Sequence, residues 1–126
     1  MTHKSRLGCL VIDCKTDDLG DALTFWSGVF GLPGKVDGDG KYAVLEEPKG
    51  DARVLIQSVE HEPRVHLDFE TDDKAAERDR LLALGAREIG AVKQWIVMEA
   101  PTGHRFCVVD PQRSDFAKNA REWDSV

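Results

Sequence analysis

The chain has 126 residues, 41% hydrophobic and 32% charged, which are ordinary proportions for one globular domain with its own core. Its formal net charge of −6 argues against a nucleic-acid or anionic-membrane surface. No apolar run approaches the roughly 18 residues that a bilayer span requires. The N-terminus lacks the apolar core of a signal peptide, and the three cysteines form no CxxC pair. We therefore expect reduced thiols and a cytoplasmic protein.

The first predicted element is a strand over residues 7–15, whose alternating side chains place Asp13 on one of its faces. A helix follows, because a carboxylate of Asp17 or Asp18 can accept hydrogen bonds from its free N-terminal amides. Its apolar residues recur at helical spacing and form one face: Leu19, Ala22, Leu23, Trp26, Val29 and Phe30. Gly31 is expected to end the helix in the left-handed conformation.

Two short strands complete the first half of the chain. They are predicted at residues 42–46 and 53–58, joined by a turn at 47–51 and preceded by a turn-rich loop at 34–41. The polar connector at 59–63 is interpreted as a hinge between two halves.

The second half repeats this order. It is predicted to contain a strand at 65–71, a helix at 74–84 and strands at 87–92, 95–99 and 105–109. The middle of the helix is charged, so Leu81, Leu82 and Leu84 are expected to provide most of its anchoring. The tail from residue 112 is expected to be irregular or a short helix.

An internal repeat supports this division. "VIDCKTDD" at residues 11–18 matches "HLDFETDD" at 66–73, and "EPKGD" resembles "APTGH". Each half is therefore a βαβββ unit, with a helix covering one face of its strands. The other face carries Val11 and Asp13 in the first unit, and His66 and Asp68 in the second, and must face its counterpart or a cavity.

The segments "DDLGDALTFWSGVFGLPG", "VHLDFETDD", "LLALGA" and "APTGHRFCVVD" together resemble the vicinal oxygen chelate superfamily, in particular its glyoxalase-like branch. The resemblance covers roughly residues 7–111. It implies an α+β fold of two βαβββ modules forming a curved mixed sheet around a central cavity, the glyoxalase/bleomycin resistance/dioxygenase fold. It also implies a homodimer, and a single domain over residues 1–126, with module 1 at about 7–60, module 2 at about 64–111 and a tail at 112–126.

Metal-dependent members of this superfamily hold a divalent ion with His or Gln on the first strand of each module and Glu on the last. The corresponding positions here are Val11, Gln57, His66 and Cys107. Hard divalent ions prefer oxygen and imidazole ligands, so this set is incomplete. A divalent cofactor stays open, but we assign no residue as a metal ligand.

His66 is the strongest candidate for chemistry, as a ligand contact or an acid–base group. The alternatives are a metal ligand and an inherited residue that lines the sheet. Asp13 and Asp68 either form an acid–base pair or, as we favour, accept structural hydrogen bonds. Cys107 is expected to be an inert buried cysteine unless it contacts a ligand. The predicted ligand-binding residues are Asp13, Gln57, His66, Asp68, Trp95 and Cys107.

Three hypotheses about function follow from the resemblance and these residues. The first is a glyoxalase-like protein whose cavity binds a small organic molecule without the usual metal centre. The second is an enzyme of the lyase, isomerase or dioxygenase type, either metal-assisted or using His66 with Asp13 or Asp68 as acid–base groups. The third is a non-catalytic regulatory or interaction module. Whether the protein is an enzyme is left open by the sequence.

Overall fold

The computed structural model describes residues 1–46 and 53–124, so the predicted turn at 47–51 lies outside the described part. The chain divides into two compact units. The first unit is Cys9–His66, and the second unit joins Met1–Gly8 to Leu67–Val126. The elements in chain order are β1 (Thr2–Lys15), α1 (Leu19–Phe30), β2 (Gly34–Val36), β3 (Tyr42–Leu45), β4 (Arg53–Val59), β5 (Arg64–Thr71), α2 (Lys74–Ala83), β6 (Arg87–Val92), β7 (Trp95–Glu99), β8 (Arg105–Val109), α3 (Phe116–Asn119) and β9 (Arg121–Asp124).

In the first unit the strands lie in the order β2, β3, β4, β1. Strands β1 and β4 are parallel, and the other neighbours are antiparallel. Helix α1 starts where the Asp18 side chain accepts a hydrogen bond from the Asp21 amide at 3.1 Å, and ends at Gly31, whose φ is 69°. Both predicted helix ends are therefore confirmed.

Helix α1 packs on one face of this sheet. Its first residue, Leu19, joins Ala43, Leu45 and Ile56 in the buried core, with Trp26 packed against them. The residues that alternate with these along β3, β4 and β1 project from the opposite face. The register therefore leaves one face of the first unit without cover from α1.

The predicted loop at 34–41 is wrong at its start, because residues 34–36 form strand β2 against β3. Gly34 makes this possible, because a Cβ at this position would lie 2.7 Å from Leu23 Cδ1 and 2.8 Å from Leu45 Cδ2. Only glycine allows the backbone to approach the core so closely. Gly34, which the sequence suggested was part of a turn, therefore allows β2 to lie close to α1.

The strands of the second unit repeat the order, as β5, β8, β7, β6, with β5 parallel to β8. Each unit thus pairs its first strand in parallel with its last, and the α+β class is confirmed. Strand β9 pairs antiparallel with the start of β1. The prediction that the tail is irregular or a short helix is therefore incomplete, because it missed strand β9. This strand pairs with the other end of the chain, and such long-range pairing leaves no local signal in the sequence.

The predicted anchoring of α2 is wrong for Leu82, which is 42% exposed, and for Leu84, which is 67% exposed, whereas Leu81 is partly buried. Glu77 is only 1% exposed. Glu77 accepts hydrogen bonds from His3 Nε2 and from Arg80 Nε, each at 2.8 Å. A charged residue is tolerated inside because its carboxylate is paired on both sides. The helix begins at a cap on Asp73, which accepts from the Ala76 amide at 3.0 Å.

Over the ranges that the structure covers, no helix has the length and apolar character needed to cross a membrane.

Candidate functional site

Three polar side chains lie side by side on the face of the first unit that α1 leaves uncovered. Gln57 on β4 is the register partner of Asp13 on β1 and of Tyr42 on β3. Side chains of directly paired residues project from the same face of a sheet. Gln57 Nε2 donates a hydrogen bond to Tyr42 Oη at 3.0 Å. We call Tyr42, Gln57 and Asp13 the polar row.

Asp13 is joined to His66, the last residue of the first unit. His66 Nδ1 lies 2.8 Å from Asp13 Oδ2. Because a carboxylate only accepts, the hydrogen between them belongs to Nδ1, and Nε2 is the basic nitrogen of the neutral ring. The Asp13 side chain is 2% exposed and the His66 side chain 15% exposed. The buried carboxylate therefore fixes the orientation of a more accessible imidazole.

The two oxygens of Asp13 differ in their surroundings. Oδ2 accepts from His66 and also lies 3.8 Å from Arg64 Nε, whose side chain is half exposed. Oδ1 is buried and has no hydrogen-bond partner among the described residues. A buried acceptor left unpaired is unfavourable, and native structures contain few of them.

An apolar row lies directly beside the polar row. Leu55 on β4 pairs with Val11 on β1 and with Val44 on β3, two positions along each strand from the polar row. These three residues, Val44, Leu55 and Val11, are called the apolar row. The uncovered face of the first unit thus combines hydrocarbon with a short line of hydrogen-bonding groups.

The equivalent positions of the second unit carry different chemistry. Asp68 on β5 is paired with Cys107 on β8, and Cys107 with Val97 on β7. All three are partly buried. Trp95 lies at the start of β7, opposite Val92, with Lys93 Nζ 5.9 Å from its ring centroid. Trp95 therefore belongs to the hairpin end, two residues before the Val97 position.

The metal-ligand set implied by the resemblance does not fit this chain. Val11 is a hydrocarbon side chain with 1% exposure, so it supplies no donor. Gln57 would offer only its neutral amide oxygen, since its amide nitrogen donates to Tyr42 Oη at 3.0 Å. The inherited set therefore lacks the carboxylate that a hard divalent ion prefers.

Cys14 lies in surroundings that disfavour a reactive thiol. None of the three cysteines forms a disulfide. Burial raises the pKa of the Cys14 thiol, with a smaller contribution from neighbouring Asp13, against a lowering contact from Trp26. A raised pKa keeps a thiol protonated and unreactive.

Sequence reasoning missed Tyr42 and Arg64. Tyr42 enters the site only through the pairing of β3 with β4, and Arg64 only through its approach to Asp13. Alternation within β3 does place Tyr42 opposite the buried Ala43. The alternation of side chains along β3 predicts the face on which Tyr42 lies, but it does not predict that Gln57 lies beside Tyr42.

Comparison with known proteins identifies the class. A family model described as a glyoxalase-like domain matches residues 9–109. The chain therefore belongs to the glyoxalase-like domain family, and its resemblance to the glyoxalase-like branch of the vicinal oxygen chelate superfamily is confirmed. A comparison with curated proteins finds no match.

Several solved structures share the fold. A hypothetical protein from Bacillus halodurans C-125 has a TM-score of 0.63 at 13% identity, covering 87% of this chain and 96% of its own. Methylmalonyl-CoA epimerase from Mycobacterium tuberculosis has a TM-score of 0.61 at 17% identity, with coverages of 88% and 91%. NAD-dependent benzaldehyde dehydrogenase from Legionella pneumophila has a TM-score of 0.64 at 11% identity, with coverages of 82% and 98%. At these identities the likeness extends to the fold alone.

Proposed function

We propose that this protein binds a small organic molecule on the uncovered face of the first unit, without the metal centre of its metal-dependent relatives. The observation that carries the proposal is the apolar row lying directly beside the polar row. Small-molecule sites are mostly apolar and contain a few placed polar groups that fix orientation. The epimerase that shares this fold is named for a small organic substrate, which supports the same class of ligand.

A variant pair tests the location of binding. Leu55→Lys places a charge in the apolar row, whereas Leu84→Lys makes the same change at the end of α2, where Leu84 is exposed. In a fragment screen by ligand-observed NMR, we expect hits with the wild type and with Leu84→Lys, and loss of those hits with Leu55→Lys. Equal loss in both variants, or hits retained by Leu55→Lys, would contradict the proposed site.

The metal-free part has its own test. Purified protein, grown with trace metals, is analysed for bound ions and then titrated calorimetrically with Zn²⁺, Mn²⁺ and Ni²⁺. We expect substoichiometric metal and no saturable binding at micromolar concentration, since the inherited ligand set does not fit. A stoichiometric ion that disappears in His66→Ala would overturn this part of the proposal and leave the organic ligand to be bound at a metal.

The hydrogen bond between His66 and Asp13 favours a second candidate, an enzyme that transfers a proton. In this reading His66 Nε2 removes a proton from the bound molecule, and Asp13 holds the ring and stabilises the imidazolium that forms. No metal takes part in this step. The chemistry requires that the acidic hydrogen of the substrate lie within hydrogen-bond reach of an unprotonated Nε2.

Deuterium exchange distinguishes binding from proton transfer. In D₂O, carbonyl compounds with an α-hydrogen would exchange that hydrogen faster in the presence of the protein. We expect His66→Asn, whose amide can still donate to Asp13, to remove the acceleration, with a loss on the order of 10²–10⁴-fold. Its melting temperature should change less than that of His66→Ala, which leaves the buried Asp13 carboxylate unpaired. If exchange is never accelerated although fragments bind, the protein is a binder and not a proton-transfer enzyme.

Two further properties concern assembly and location. We infer a homodimer, as the superfamily resemblance implies, with the exposed apolar side chains of α1 as its contact surface. We also infer a cytoplasmic location, which cysteines outside disulfides favour.

A further inference from the structure

We propose that the ligand of this site carries a hydrogen-bond donor, as an amine, amide or alcohol on an apolar body, and that this donor binds Asp13 Oδ1. The inference rests on the proposed function and specifies its ligand class. Its starting point is the single buried acceptor of the first unit that lies on the uncovered face and has no partner among the residues described.

The geometry leaves Oδ1 to an incoming group. Oδ2 already accepts from His66 at 2.8 Å, and Arg64 Nε approaches the same oxygen at 3.8 Å. The neighbouring residue of the polar row, Gln57, directs its amide nitrogen to Tyr42 Oη at 3.0 Å. His66 and Arg64 therefore both approach Oδ2, and Oδ1 has no hydrogen-bond partner among the described residues.

A carboxylate oxygen can accept a hydrogen bond but cannot donate one to a ligand. A ligand N–H or O–H would satisfy it, whereas a ligand carboxylate or phosphate would place acceptor against acceptor and negative charge against negative charge. Arg64 Nε lies 3.8 Å from Oδ2, so it does not supply the donor that Oδ1 lacks. Discrimination of this kind is strong, since a site built for hydrogen bonding rejects analogues that leave its buried group unpaired.

The apolar row determines the character of the remaining part of the ligand, which must be apolar. Leu55 and Val44 are partly buried and lie along the polar row on the same face, two residues away on each strand, beside the fully buried Val11. A flat or chain-like hydrocarbon of a few carbon atoms would cover Leu55 and Val44 while its donor end reaches Asp13. Benzylamine, benzamide and benzyl alcohol have this form, and benzoate and phenyl phosphate are their anionic counterparts.

The test measures the affinities of these five compounds for the intact protein by protein-observed NMR. We expect at least one of the three donor compounds to bind at least tenfold more tightly than benzoate and phenyl phosphate. Asp13→Asn should remove this preference, and it is compared with Asp17→Asn, which removes the same charge from an exposed position and should leave the preference unchanged. If Asp13→Asn does not fold, the wild-type preference alone decides.

Different outcomes of this test contradict the donor class of the ligand and the proposed small-molecule site. If benzoate or phenyl phosphate binds as tightly as the donor compounds, with shifts around the polar row, the donor class is wrong and the small-molecule site stands. If Asp17→Asn abolishes the preference as Asp13→Asn does, the effect is one of overall charge and the assignment to Asp13 is wrong. If none of the five compounds binds at millimolar concentration, the donor class and the proposed site both fail.

Discussion

At the scale of single residues, Gly8 shows how closely the second unit is packed. A Cβ at Gly8 would lie 2.4 Å from Glu70 Cγ and 2.8 Å from Glu70 Cδ. Glu70 is fully buried, and its carboxylate accepts hydrogen bonds from Arg6 Nε at 2.8 Å and from the Gln112 amide. Its side chain is held by these partners and cannot move aside freely. Gly8 is therefore required by the space that Glu70 occupies.

Two glycine substitutions should have opposite effects on stability. Gly8→Ala forces Glu70 out of place, and overpacking of this kind costs about 1–3 kcal/mol of unfolding free energy. Gly28→Ala lies within α1 with no atom within 4 Å of the added methyl group, so it should stabilise the protein by up to about 1 kcal/mol. Urea denaturation of both variants measures this, and destabilisation of equal size in both would contradict the packing argument.

The candidate site shows what strand patterns can and cannot predict. Asp13 and His66 could be placed by alternation and by the repeat, and Gln57 by its position on the last strand of its unit. The favoured interpretation of Asp13 as a structural acceptor did not anticipate that its partner would be His66, 53 residues away. Contacts between residues so far apart in the sequence depend on strand register and on which strands pair, and a single sequence does not show either.

At the scale of elements, α2 is held by charge pairing where the sequence predicted leucines. Burial raises the pKa of the Glu77 carboxyl, but hydrogen bonds from Arg80, His3 and Ser5 outweigh that effect and lower the pKa below its ordinary value of 4.5. Arg80 also lies 4.0 Å above the Trp123 ring of β9. The carboxylate thus connects α2 to β1, and its Arg80 partner connects α2 to β9. The spacing of apolar residues did not predict how this helix is anchored, because its buried residue is a glutamate.

This network predicts a specific pH dependence. Because the pKa of Glu77 is lower in the folded state, its contribution is complete above the unfolded pKa and is lost as the pH falls through the folded pKa, below 4.5. Glu77→Gln should cost about 1–3 kcal/mol at neutral pH, and its difference from wild type should shrink as the pH is lowered below 4.5. Asp79→Asn on the same helix is the control, since that side chain is more than half exposed and should matter little at any pH. A Glu77→Gln deficit that stays constant on acidification would exclude an ionised Glu77 as the anchor.

At the scale of the whole molecule, the fold was more accessible to prediction than the site. The helix caps and most of the strands follow from local patterns and are confirmed by the structure, and the family is confirmed by the matching family model. Strands β2 and β9 were missed because their formation depends on packing and on pairing between distant segments. The same dependence on long-range pairing explains why the polar row could be seen only in the structure.

The assembly state is a prediction at this scale. Helix α1 exposes three large apolar side chains, namely Phe25 at 61%, Val29 at 59% and Phe30 at 42%, and the last two belong to the apolar face that the sequence predicted. Exposed apolar surface of this kind is typical of an interface, so we expect a dimer in sedimentation equilibrium. Val29→Asp should shift the protein to monomer, and Thr24→Asp, on another side of the same helix, should not. A monomeric wild type would contradict the inferred dimer without affecting the candidate site.

The central claim is that the uncovered face of the first unit, at Asp13 and His66, is where a small molecule binds. The most direct measurement is a titration of isotope-labelled protein with the tightest-binding fragment, followed by NMR. The account predicts that the largest shifts fall on Asp13, Gln57, His66 and their neighbours in the apolar row, with the side chains on the α1 side of the sheet little affected. Shifts centred on α1, or a saturable ligand that leaves Asp13 and His66 unchanged, would contradict it.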